Sequence, residues 1–230
     1  MHERIRLVRL ELRLLVRSRL FWLVFIAADF VLPLFMSAAG RGVEETLWLR
    51  WLHMQLLMLG LSFPILVSIL FNEDHERFIS TVILTKLRRG LDYTAARVFA
   101  LAVLVLACLL GTHLIVLLTV VWLGTGLRAE GIGAGAAAFF TAYAVLLLLS
   151  ILAAQWIRKV IYTVPILFLF MIGQLALSHP LWSLWWGPDQ VITYAEKADA
   201  SFWAGRGLYI LLLPFLYWAV LKTEQRRWRG

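Results

Sequence analysis

The sequence predicts an all-α integral membrane protein that crosses the bilayer six times, and three observations predict it. Of the 230 residues, 62% are hydrophobic and only 16% charged, with a mean hydropathy of +0.82; a soluble domain is only about half apolar. The apolar residues fall in sustained runs, each near the roughly 20 residues that cross a hydrocarbon core about 30 Å thick. Such runs suit helices, which satisfy their own backbone hydrogen bonds in lipid, and not the alternating strands of a barrel. Basic residues, finally, crowd into alternate connections.

Residues 1–19 come first. Ile5, Val8, Leu12 and Leu15 recur at helical spacing while Arg6, Arg9, Arg13 and Arg17 take other positions. This is the pattern of a helix lying in the membrane interface; the competing reading is a frayed basic arm. The stretch lacks the basic, apolar and small-residue order of a cleavable signal, so the N-terminus is read as mature. Arg17-Ser18-Arg19 then turns the chain into the first span.

Spans are expected at 20–39, 47–71, 98–124, 132–154, 160–177 and 207–222, together one transmembrane domain over residues 1–230. Orientation follows from the positive charges. Arg4, Arg6, Arg9, Arg13, Arg17 and Arg19, then Arg77, Lys86, Arg88, Arg89 and Arg97, then Arg158 and Lys159, then Lys222, Arg226, Arg227 and Arg229 make 17 of the 22 basic residues. Six spans put all of these on one face, the cytoplasm, with both termini there, in a cell membrane. Only Arg41, Arg50, Arg128, Lys197 and Arg206 fall opposite. The net charge of +8 is therefore a topological signal and an attraction for anionic lipid, not a nucleic-acid footprint.

Two connections are long. Residues 72–97 are expected to hold a short helix with Phe78, Val82 and Ile83 on one face, Gly90 as its terminator and Asp92 as cap of the next helix. Residues 178–206, on the outer side, carry Trp182, Trp185, Trp186 and Trp203. These Trp residues read as an interfacial belt or, alternatively, as an outer gate that contacts substrate.

Polar residues inside spans are the candidates for function. Asp29 sits near the middle of the first span, where an ionised carboxylate is costly unless paired, hydrated or protonated. It marks a substrate pathway or subunit interface, or else a structural hydrogen bond. His53, Gln55, His113 and Gln174 are placed to bond neighbouring helices and join it as candidate pathway residues. Two histidines on different helices make no metal site, and Cys108, the single cysteine, excludes an internal disulfide and a cysteine cluster. The acidic run Glu73-Asp74-His75-Glu76-Arg77 points around a helix rather than converging, and lacks the HExxH spacing; it reads as a partner-binding patch. The glycines at 131, 133 and 135 follow no strand and precede no Lys-Ser or Lys-Thr, so they serve close helix packing and not phosphate binding. Pro33, Pro64, Pro165 and Pro214 bend their helices. No nucleotide-binding motif occurs, so any ATP-driven role requires another polypeptide.

On these residues the layout resembles the membrane subunit of an ABC-2-type ABC exporter: an N-terminal amphipathic elbow helix, six spans, and a cytoplasmic coupling helix between helices 2 and 3. The local match is Glu73-Asp74-His75-Glu76-Arg77, then Ser80-Thr81, Leu84-Thr85, Arg88-Arg89 and Tyr93. Ser80-Thr81 stands where the family has Gly-Thr, and no proline follows Leu84-Thr85. The resemblance implies that Glu73, Asp74, Glu76, Arg77, Thr81, Leu84 and Arg88 meet an ATPase subunit, with Arg6, Arg9, Arg13 and Arg17 on the elbow. It further implies a unit of two permease chains and two ATPases, ATP and Mg bound by the partner, no cofactor in this chain and no covalent catalysis by it. The cargo class it suggests is an amphipathic peptide, antibiotic or lipid-linked molecule. Haem-related or polysaccharide export, an intramembrane lipid-modifying enzyme and a non-transporting immunity scaffold are the alternatives.

Overall fold

The computed structural model describes residues 2–39, 90–122, 129–157, 159–175 and 200–227, and positions 51, 54, 55, 58, 62, 63 and 65–67. Helix is the only regular structure among them. The elements are α1 (His2–Arg17), α2 (Arg19–Val24), a π-helical turn (Phe25–Val31), α3 (Leu32–Ala39), α4 (Gly90–Trp122), α5 (Ala129–Ile157), α6 (Val160–Leu175) and α7 (Ala200–Arg227).

The chain bends by 61° between α1 and the helix that follows, at the predicted Arg17-Ser18-Arg19 corner. Ser18 is extended (φ −71°, ψ 112°) and its hydroxyl accepts the Phe21 N–H at 3.3 Å, capping α2. The Trp22 indole donates to the Val16 carbonyl at 2.7 Å, satisfying an acceptor that the end of α1 leaves open. Both sides of the corner thus carry their own caps.

The inward face of α1 is Val8, Glu11, Leu12 and Leu15, one stripe at helical spacing. Ile5, expected on this stripe, is 51% exposed instead. Arg6, Arg9, Arg13 and Arg17 are exposed on the opposite side, and Leu10 and Leu14 form an exposed apolar flank between. A helix with one protein face, one basic face and one apolar flank fits a boundary between lipid and water.

Beyond the corner, the Leu32 N–H bonds back to the Ala27 carbonyl, five residues away, which defines the wide turn. Pro33 explains the local geometry. It has no N–H to give to the Asp29 carbonyl four residues earlier, and its ring crowds that position.

In α4, residues 98, 101, 105, 109, 112 and 116 recur every three or four positions and all are buried; the helix packs against α1 and α7 and meets α5 through the Tyr143 hydroxyl, which donates to the Ala102 carbonyl, and through the His113 and Phe139 rings. Phe139, Tyr143, Leu146, Ser150 and Ala154 form the matching stripe of α5. Phe63 meets Tyr143 of that stripe with centroids 5.5 Å apart, and Phe21 and Phe25, their rings stacked at 6.0 Å, belong to the same buried cluster. The outside is as apolar as the inside: Leu114, Leu118, Leu169, Leu211 and Phe215 are all more than half exposed. Hydrocarbon, not water, tolerates such a surface. The protein is a membrane-embedded helical protein.

Three described helices are long and apolar enough to cross a bilayer, Tyr93–Thr119, Gly135–Ile157 and Ala200–Arg226, and the bent pair at the N-terminus makes a fourth if it counts as one span. The apolar stretch Ile161–Phe170 in α6 is shorter. Three predicted boundaries move. α4 begins at Gly90, so Gly90 and Asp92 lie in its first turn and not ahead of it. α7 begins at Ala200, which takes Trp203 and Arg206 out of the outer connection and into a helix. The fifth span, expected at 160–177, corresponds to α6, which ends at Leu175. The first two shifts come from polar residues that the fold buries. Hydropathy ends a span at Arg97 and Arg206, yet both side chains lie inside the bundle.

Candidate functional site

Two separate polar clusters lie inside the protein. One centres on Asp29, ten residues beyond Arg19 and so about 15 Å along the helix that starts there. Asp29 is 2% exposed, and Ser62, Gln55, Thr112 and His113 are buried around it. The Ser62 hydroxyl donates to the Asp29 carboxylate at 2.9 Å. Gln55 Nε2 donates to the Asp29 backbone carbonyl at 2.8 Å and more distantly to the Thr112 hydroxyl at 3.4 Å. That carbonyl is the one Pro33 cannot serve, so a side chain from another segment supplies the donor. Thr112 Oγ donates to the Leu109 carbonyl at 2.9 Å, and His113 Nδ1 lies 2.7 Å from the same carbonyl.

Aromatic rings close the cluster. Trp51 and Phe139 meet the His113 imidazole edge-on, each with centroids 4.7 Å apart, and Phe140 lies at 5.7 Å. Three buried polar atoms here have no hydrogen-bond partner: Trp51 Nε1, Gln55 Oε1 and His113 Nε2. Buried polar atoms are normally satisfied, so three orphans in one place call for an explanation.

The second cluster lies at the end of the bundle that holds α1. Glu11 of α1 faces Arg97 of α4, Oε2 to Nε 3.8 Å, with both side chains nearly dry. Tyr93 hydrogen-bonds the Glu11 carboxylate, and Glu224 of α7 interacts electrostatically with Arg97. Gln155 Nε2 of α5 donates to Glu224 at 3.2 Å, and the Trp156 indole to Thr223 at 3.3 Å. Burial pushes the Glu11 carboxyl above its ordinary range, while the Arg97 guanidinium and the Tyr93 hydroxyl act the other way. The cluster ties α1, the start of α4, the end of α5 and the end of α7 into one end of the bundle. Elsewhere, Val98, Ala102, Tyr143, Ala144, Ile210 and Pro214 line an apolar groove of about 480 Å³ between α4, α5 and α7.

Of the candidate pathway residues, Asp29, Gln55 and His113 come together in one cluster. Gln174 sits half-buried on α6. Arg6, Arg9, Arg13 and Arg17 are exposed on α1. His53, the coupling-segment residues Glu73, Asp74, Glu76, Arg77, Thr81, Leu84 and Arg88, and the outer Trp182, Trp185 and Trp186 lie outside the described residues. Sequence reasoning missed Ser62, Thr112 and Trp51, ordinary in composition, and the whole Glu11–Arg97–Glu224 cluster. One signal was present: Glu11 falls three residues after Val8 and four before Leu15, on the apolar stripe itself. Among the described residues no group of three or more His, Cys, Asp or Glu is arranged to hold a metal ion. No family model, curated protein or solved structure matches the chain.

Proposed function

We propose that the chain is the transmembrane subunit of an ATP-driven ABC exporter of the ABC-2 type. In this reading it has six spans and both termini in the cytoplasm, pairs with a second permease chain, and moves an amphipathic compound outward by alternating access. ATP is hydrolysed by a separate ATPase pair docked on the 72–97 segment. A switch of this kind requires that ATP-driven closure of the ATPases favours one arrangement of the membrane helices over the other.

One observation carries the reading. The basic amphipathic helix α1, set at 61° to the first membrane helix, is fastened by Glu11 to Arg97, close to where the 72–97 segment runs into α4. A force applied through that segment therefore meets a braced joint rather than a loose helix end. The common end shared by α1, the start of α4 and the ends of α5 and α7 supports the same topology. It is the end that the arginine distribution assigns to the cytoplasm.

The test is co-purification of the tagged full chain from its native membrane. An ATPase subunit with a Walker A motif is expected with the wild type and is expected to be lost when Glu73 and Glu76 are both changed to alanine. Recovery of the chain with no ATPase, or undiminished recovery from the double variant, refutes the assignment.

A further inference from the structure

We propose that the cluster around Asp29 is a binding site for the protonated amine of an amphipathic molecule whose apolar body lies in the membrane. Asp29 is buried at mid-helix, and its carboxylate has one partner among the described residues, the Ser62 hydroxyl. None of their lysines or arginines pairs with it. An ionised carboxylate in hydrocarbon needs a counter-charge, and a ligand cation can provide it.

The neighbours match an ammonium group in detail. The contact between His113 Nδ1 and the Leu109 carbonyl assigns the ring proton to Nδ1, because a carbonyl cannot donate. Nε2 is then a bare acceptor, and Gln55 Oε1 is a second. One carboxylate and two neutral acceptors equal in number the three N–H donors of an ammonium. The rings of Trp51, Phe139 and Phe140 around His113 add faces that attract a cation and shed water. The orphaned donor, Trp51 Nε1, suits an oxygen carried beside the amine. An anionic ligand would find the carboxylate and both acceptors against it.

That the amine belongs to the exported cargo rests on the function proposed above; the site itself does not.

Equilibrium binding tests it, using the full chain in nanodiscs of zwitterionic lipid with empty nanodiscs as background. Labelled dodecylammonium is compared with dodecanol, which has the same tail and no charge. Saturable binding of the ammonium is expected, roughly ten-fold or more tighter than that of the alcohol, with a loss of at least about ten-fold in Asp29→Asn. That variant keeps an oxygen for Ser62 and removes only the charge. The comparison of the two ligands on the wild-type chain needs no variant to fold. Absence of a saturable component, equal affinity for the alcohol, or an unaffected Asp29→Asn overturns the proposal. Ammonium binding by a chain that recruits no ATPase keeps the site and removes the permease; ATPase recruitment without ammonium binding does the reverse.

Discussion

Replacing Arg97 by methionine separates what the buried pair contributes from what the surrounding helices do. The side chains of Arg97 and Glu11 are 10% and 3% exposed, so solvent screens the pair little. At 3.8 Å their direct contact is long, and Glu11 Oε1 already lacks a hydrogen bond. The main effect of the substitution is therefore to strand a dry carboxylate. Breaking a buried pair from one side costs about 3–5 kcal/mol. The long contact and the remaining Tyr93 hydroxyl place this case near about 3 kcal/mol. Glu224 keeps its Gln155 donor and adds little.

The assay is reversible unfolding of the full chain in mixed micelles, followed by helicity. Two further arms make it specific. Glu11→Leu combined with Arg97→Met replaces the pair by apolar groups of similar bulk and is expected to return to within about 1 kcal/mol of the wild type. Acidification should rescue the single variant. Loss of Arg97 removes the group that lowers the Glu11 carboxyl, so its folded-state value climbs further above the ordinary 4.5. A carboxyl raised by folding favours the folded state below its unfolded value, and that advantage is lost as pH rises through the folded value. The deficit of Arg97→Met is thus greatest near pH 8 and vanishes below about pH 4.5. A single variant within about 1 kcal/mol of wild type at pH 8, or a double variant as unstable as the single, refutes the reasoning.

The same unfolding assay checks two other features. Ser62→Ala removes the hydroxyl that donates to Asp29 and is expected to cost about 1–3 kcal/mol, the range for a buried polar group left without its partner. Two alanines of α5 on either side of Tyr143 should respond oppositely to enlargement. Ala142→Leu forces methyl groups into a fully buried position and should cost about 1–3 kcal/mol, whereas Ala144→Leu extends into the apolar groove and should be tolerated within about 1 kcal/mol. Equal costs would mean that the groove offers no room.

The membrane class of the fold was legible because lipid imposes its demand on long windows: sustained apolar runs announce α4, α5 and α7 whatever each residue touches. Helix ends were not legible to the same degree. Arg97 and Arg206 read as charges outside a span, yet Arg97 is met inside by Glu11 of another helix, and Arg206 lies against the Phe202 and Tyr209 rings of its own helix. A partner brought in from a distant segment leaves no trace in a window of local hydropathy. The same holds for Glu11, whose place on the apolar stripe of α1 makes sense only once Arg97 is known to lie opposite.

The Asp29 site shows where sequence reasoning could have gone further. Asp29 and Pro33 stand four residues apart, and that spacing alone says that the Asp29 carbonyl loses its helical donor inside hydrocarbon. Such a carbonyl must find another donor, and glutamine is among the residue types within the spans that can reach across helices and donate to it. Gln55 is the donor that the fold supplies. The proline thus does more than bend the helix. By widening the turn and freeing one carbonyl, it draws the glutamine of another segment against the acid, and the glutamine's second polar atom, Oε1, is left unpartnered in the cluster. The backbone defect and the recognition chemistry have one origin, so a helix straightened by Pro33→Ala would withdraw the reason for Gln55 to dock there.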